Sequence, residues 1–331
     1  KGLTFKKNRK MVHTLLDRIN PDLIVLVGSE NPDYSSSVLG LKGVPIYLLC
    51  QSVYNNDDFR NFYDKGIYEY RASIERMVLE STPYVGVYSD MHARLLRELG
   101  YEKYIFNFQW PGFVEEIVTE PRPKVYDFIN FANTMSRQKG YHDSIEALAI
   151  VKKQYPQVSM VLVNHGPKNV EDELKAMIRE YKLEENIYFV PFFEKKDDLL
   201  QFLEQVRFAV LPCKVDYFSG TQVESMERGL PIVVYETEGT PTLNEVEECA
   251  LIAKMNDVEG LAQHMIALLK DEDLAKRLKD NGRKYVQRRR EMKRNAMRNL
   301  LANFNAIIDN YHNGTEIPRE MLNKKFDTKK A

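Results

Sequence analysis

The chain has few means of holding itself together by covalent bonds or bound metal. Its 331 residues include three cysteines, Cys50, Cys213 and Cys249, and no CxxC or HExxH spacing. An odd, sparse set embedded in apolar sequence reads as reduced core thiols in a cytoplasmic protein. The six histidines are scattered, so no structural metal is expected. No apolar run approaches the roughly 18 residues needed to span a bilayer, and no signal peptide is visible. Net charge is −1, which removes any global field that would call for nucleic acid or anionic lipid. No GxGxxG follows a strand, which disfavours a nicotinamide dehydrogenase. The chain starts at Lys1 rather than Met, as a piece of a longer parent would.

What is present is an alternation of short apolar runs with helical patterns. A chain of this size, 44% hydrophobic, is expected to form two domains. DLIVLVG (22–28), VPIYLLC (44–50) and YVGVYSD (84–90) are β-branched-rich runs bounded by Pro, Gly and Ser, as strands buried on both faces of a parallel sheet require. Asp90 is the expected N-cap of the helix that follows. The polar, proline-rich TEPRPK (119–124) reads as a linker. Beyond it the scheme repeats through FINFAN, VSMVLVN, IYFVPF, FAVLPC, PIVVYE and ALIAK, with helices between. The expected class is therefore α/β, with doubly wound parallel sheets. The expected divisions are an N-terminal domain at 1–118, a second at 119–290, and a C-terminal helix and tail at 291–331.

The most informative stretch is DYFSGTQVESMERGLP (216–231), which follows the buried run FAVLPC (208–213). A small Gly/Ser/Thr loop opens a helix that Gly229, Leu230 and Pro231 close. An anion at Ser219, Gly220 and Thr221 would meet free backbone N–H groups and the positive end of the helix. One turn on, Glu224 is placed to accept hydrogen bonds from two neighbouring hydroxyls, such as those of a ribose. Together these parts suit a nucleotide sugar.

At these residues the chain resembles the family 4 glycosyltransferases, retaining sugar transferases of the GT-B fold. Asp216 and Glu224 sit where that family carries two glutamates seven residues apart, with Asp216 departing from the pattern. The resemblance runs from about Asp22 to Val286. It implies two Rossmann-like domains with a cleft between them, a first acid near the donor sugar, and a second on the ribose. The family's earlier N-terminal strands and Gly-rich loop are not found, so an incomplete N-terminal domain is expected.

The resemblance also directs attention to other loops. In FANTMSRQKG (131–140) Lys139 falls on a family lysine aimed at the donor diphosphate. Thr134 stands where the family has arginine, and Arg137 is a substitute charge unless it is simply a solvated one. In NHGPKN (164–169) Asn164 and Gly166 either approach the donor or punctuate a turn. Phe192 and Phe193 either stack on the base or belong to the core. After the first two strands, Glu30 is an acceptor-side candidate or a surface carboxylate. Gln51 or Ser52 replaces a family histidine. The basic stretch 283–298 reads as a solvated helix face or, alternatively, as a peripheral contact with anionic lipid.

The expected activity is transfer of a sugar from a nucleoside diphosphate to a hydroxyl on a glycan, a lipid-linked acceptor or a protein, with retention. It fits a cytoplasmic, membrane-associated role in polysaccharide biosynthesis. Asp216, Lys139 and Glu224 are the candidate catalytic residues. No cofactor and no metal are expected, since cationic side chains and the helix dipole take the place of a divalent ion. An epimerase of the same architecture and a non-catalytic sugar-nucleotide-binding protein remain as alternatives.

Overall fold

The computed structural model describes residues 2–29, 35–108, 118–215, 219–237 and 239–323. The chain divides into two compact units, Lys1–Pro111 with Met292–Ala331, and Gly112–Glu291.

The first unit contains α1 (Gly2–Ile19), β1 (Ile24–Val27), β2 (Ile46–Cys50), α2 (Asp57–Phe62), α3 (Lys65–Ser81), β3 (Tyr84–Val87), α4 (Asp90–Glu98) and β4 (Tyr104–Asn107). Its strands are parallel, in the order β1-β2-β3-β4. β2 and β3 are buried along their whole length. β1 departs from the expectation of two buried faces. It lies at the sheet edge, and alternate residues Val25 and Val27 are 39% and 37% exposed while Leu26 is buried. The cap of α4 is also shifted by one residue. Ser89 has the extended conformation a cap needs and accepts from the His92 amide, so Asp90 becomes the first helical residue.

A buried carboxylate organises the loops that follow β1 and β2. Glu75 on α3 accepts from Ser29 Oγ at 3.0 Å, Tyr54 N at 2.9 Å, and Asn55 N and Nδ2 at 3.0 and 2.9 Å. Burial pushes its carboxyl above the ordinary range, and these four donors oppose that shift.

The second unit contains β5 (Tyr126–Asn130), α5 (Tyr141–Lys152), β6 (Met160–Asn164), α6 (Lys168–Glu180), β7 (Ile187–Pro191), α7 (Lys196–Leu203), β8 (Val206–Leu211), α8 (Gly220–Glu227), β9 (Ile232–Tyr235), β10 (Ala250–Ala253), α9 (Val258–Lys270) and α10 (Glu272–Asn313). From Met292 onward, α10 belongs to the first unit. All six strands are parallel, in the order β10-β9-β8-β5-β6-β7. Successive strand residues serve opposite faces: Phe128, Phe208 and Val210 enter one core, and Ile129, Ala209 and Leu211 the other. That is why these runs are apolar without alternation.

The stretch read as a linker is fastened to the second unit. Thr119 Oγ1 donates to Glu204 Oε1 at 2.7 Å, and Arg228 Nη1 donates to Thr119 Oγ1 at 2.6 Å. The Glu120 amide donates to Gln201 Oε1 at 3.0 Å. At the end of α8, Glu227, its side chain 2% exposed, pairs with Arg228 and with Arg290 of α10. Cys50, Cys213 and Cys249 are buried and unbridged. Among the described residues no helix is long and apolar enough to cross a membrane.

Candidate functional site

The strand order decides where a site can form. The chain runs outward from β5 to β6 and β7, returns to lay β8 beside β5, and then continues to β9 and β10. The loops after β5 and β8 therefore part in opposite directions, and a crevice opens at the carboxyl ends of those two strands.

Gly140 brings the two loops together. Its φ is +70°, and a Cβ there would stand 2.1 Å from the Pro212 carbonyl oxygen just past β8. Only glycine accepts both the left-handed backbone and that approach. The Lys214 amide donates to the Gln138 carbonyl at 2.8 Å, which ties the loops a second time. The Lys139 amide is turned inward onto Ser136, at 3.2 Å from both its Oγ and its carbonyl.

Between these loops lies a cavity of about 530 Å³, contained within the second unit. Seven residues singled out from the sequence line it: Lys139, Phe192, Phe193, Ser219, Gly220, Thr221 and Glu224. Ser219 precedes α8 in extended conformation and makes no side-chain capping bond. Its Oγ lies instead 2.7 Å from Thr221 Oγ1. The first amides of α8 have no partner within the helix, so the cavity wall carries oriented N–H groups and the positive end of a dipole. Val223, Ser225 and Met226 are fully buried and hold the helix in place. Gly229, with φ +70°, ends it, and Leu230 N returns to the Ser225 carbonyl at 2.9 Å.

Glu224 is one turn into α8, with its side chain 14% exposed and Oε1 at 3.3 Å from Lys196 Nζ. Burial pushes its carboxyl above the ordinary range, the Lys196 ammonium opposes that, and Glu227 adds to it. Lys196 also lines the cavity, and sequence reasoning missed it. Its one signal was its place at the start of a helix directly after the loop holding Phe192.

Other candidates lie elsewhere. Arg137 is exposed, pairs with Glu173 of α6, and does not line the cavity. Thr134 is outside the lining too, and backs onto Gly166, where a Cβ would meet Thr134 Oγ1 at 3.3 Å and Met135 O at 3.2 Å. Gly166 thus serves packing between two loops. Asn164 ends β6, and its side chain lies outside the described part of the structure. The two phenylalanines both line the cavity but in different settings. Phe192 is 44% exposed with its ring 4.3 Å from that of His165, while Phe193 packs against Phe202 at 5.3 Å. Asp216 and Glu30 fall outside the described residues. Gln51 is exposed at the end of β2 in the first unit.

Residues 115–285, more than half of the chain, match the family described as glycosyl transferases group 1. The chain belongs to this family. Among its relatives, an uncharacterized glycosyltransferase of Bacillus subtilis is 28% identical over 218 residues, covering 66% of this chain and 60% of that one. The poly(glycerol-phosphate) alpha-glucosyltransferase of Bacillus subtilis is 22% identical over 199 residues, covering 59% of this chain and 27% of that one. This glycosyl transferase chain thus spans 60% or less of the length of these relatives. In solved structures its fold resembles sucrose-phosphate synthase from Thermosynechococcus elongatus, with a TM-score of 0.74 and 19% identity over 91% of this chain and 78% of that one. It also resembles Anabaena HepE in complex with UDP and glucose, with a TM-score of 0.70 and 16% identity over 89% and 81%. The architecture, two parallel-sheet α/β units, is that of GT-B glycosyltransferases.

Proposed function

We propose that the cavity of the second unit is the donor site of a retaining, family 4 type glycosyltransferase that takes a sugar from a nucleoside diphosphate. One observation carries this reading. The switch point brings the first amides of α8, Lys139 and the half-buried Glu224 carboxylate to the wall of one cavity. An anion acceptor and a hydroxyl acceptor one helical turn apart match a diphosphate joined to a ribose. Phe192, exposed at the same cavity, offers a face for the base. HepE, which shares the fold, has been solved with UDP and glucose.

In the reaction, the bond between the anomeric carbon and the diphosphate oxygen breaks, and a bond to the acceptor oxygen forms. The acceptor's proton leaves to the departing phosphate. Negative charge then grows on the diphosphate, where Lys139 and the amides of residues 219–221 stabilise it by preorganised electrostatics. These groups supply the charge a divalent ion would otherwise provide, so no metal is required. Asp216 orients the sugar, and a glycan or lipid-linked hydroxyl is the acceptor, approached from the leaving-group face so that configuration is retained. Action at a cytoplasmic membrane surface in polysaccharide biosynthesis fits such an acceptor.

The engagement of Arg137 with Glu173 favours a second reading, a sugar-nucleotide-binding protein without transferase activity. Calorimetric titration of UDP, GDP, ADP and their sugar conjugates tests the donor site. Micromolar binding of one of them, weakened about tenfold or more by Glu224→Ala, is the expected result. Absence of binding to all of them refutes the donor site. Binding without any sugar transfer selects the second reading.

A further inference from the structure

Lys196 is outside the spacing pattern that drew attention to this site, yet it meets Glu224 inside the cavity. The two residues come from separate helices that are each locked to the sheet. α7 begins at Lys196 and is held by the fully buried Leu200 and Leu203. α8 is held by Val223 and Met226. Their encounter is therefore a product of the fold and not of local sequence.

Glu224 needs such a partner. Its side chain is largely withdrawn from water, and a carboxylate so placed loses hydration that only a nearby charge or hydrogen bond restores. Among the described residues, the other charged groups around it are Lys139 from the β5–α5 loop, Glu194 from the β7–α7 loop, and Glu227 one turn further along α8. Glu227 is matched by Arg228 and Arg290. Among the described residues, Lys196 is the cation paired with Glu224. Its own side chain is 36% exposed, so its ammonium keeps part of its hydration while pairing. The charge state matters because an ionised carboxylate is acceptor-only and can take both hydroxyls of a ribose, whereas protonation turns one oxygen into a donor.

We propose that Lys196 is a positioning residue of the donor site: its ammonium holds Glu224 as a charged acceptor at the cavity wall, and so supports ribose recognition through Glu224. The inference rests on the donor-site reading given above. It adds a residue to the site that the Asp216–Glu224 spacing does not reveal.

The test is the pH dependence of UDP, GDP and ADP affinity, measured by calorimetry from about pH 5 to 9, for the wild-type chain, K196M, K196R and E224Q. Wild type should lose affinity only at the acid end. K196M should begin to lose affinity at a higher pH than wild type and recover toward wild type at the alkaline end, because its Glu224 ionises later. K196R should behave as wild type, and E224Q should bind weakly with only the acid limb that the nucleotide's own terminal phosphate imposes. A loss in K196M of the same size at every pH overturns the proposal, since it places Lys196 on the nucleotide itself. An unaltered K196M profile overturns it equally. Carbon-13 titration of the Glu224 carboxyl, assigned by its absence from E224Q, needs no nucleotide. Its midpoint must rise in K196M or the proposal fails. Should wild type bind none of the three nucleotides, the donor-site reading falls, and the carboxyl titration still decides what Lys196 does to Glu224.

Discussion

Replacing Gly140 by alanine strikes a backbone position where the two loops of the crevice meet. Two costs add. An L-residue in the left-handed region, at the φ of +70° found here, pays about 1–2 kcal/mol relative to glycine. The new methyl also lands 2.1 Å from the Pro212 carbonyl oxygen and 2.6 Å from Pro212 Cγ. The carbonyl is main chain and cannot swing away as a flexible side chain would, so the two loops must part by about 1 Å. That movement strains the Lys214–Gln138 backbone bond at 2.8 Å and the Ser144 amide bond to Gly140 at 3.0 Å. A total of about 2–4 kcal/mol follows. For a unit of this size the melting midpoint should fall by roughly 5–15 °C, measured by scanning calorimetry. Lys139 moves with the loop, so nucleoside diphosphate affinity should fall by about tenfold as well. Lys139→Met is the control, expected to lose affinity with no change in midpoint. If Gly140→Ala melts with wild type, or loses stability while binding as wild type, the account of how these loops form the site is wrong.

Glu75→Ala removes the acceptor of four hydrogen bonds, from Tyr54 N, Asn55 N, Asn55 Nδ2 and Ser29 Oγ, of which Asn55 Nδ2 keeps its bond to the Ala72 carbonyl. It should cost about 3–5 kcal/mol in urea denaturation, and a loss below about 1 kcal/mol would count against the hub. Burial holds the His92 imidazole down at about 4, against an ordinary 6.5, with a backbone hydrogen bond to Gln51 opposing the shift. The unfolded chain therefore takes up this proton first. Stability should be intact above about pH 6.5 and decline as the pH falls toward 4, by roughly 3 kcal/mol at most. His92→Gln should flatten that acid slope, and an unchanged slope would show that other groups set it.

The strands and most helices were legible because burial on both faces leaves unbroken β-branched runs, as at Val206–Leu211 and Ile232–Tyr235. The start of α8 was legible for a different reason, since a Gly/Ser/Thr loop before a buried helix has few other uses. Strand order was not legible. Nothing local tells β8 to lie beside β5, and that pairing is what makes the crevice. The same limit explains the charged residues. Arg137 has the right loop and the wrong partner, because Glu173 reaches it from another helix. Beyond its place at the start of a helix, Lys196 carried no signal of its role in the sequence, because only the fold sets its ammonium against Glu224. Val25 and Val27 mislead similarly, because a strand's composition does not say whether it stands at an edge.

The three unbridged cysteines turn the molecule into its own reporter. Alkylating reagents attack the thiolate, and a thiol sealed inside a core is both unreachable and reluctant to ionise; burial pushes Cys249 up to about 11. Cys50 lies in β2 of one unit, while Cys213 follows Pro212 and Cys249 precedes β10 in the other. Each thiol becomes labelled only when its surroundings open. Peptide mass mapping after timed labelling would therefore clock the opening of the two units separately in one unmodified chain, and added nucleotide should slow the clock at Cys213.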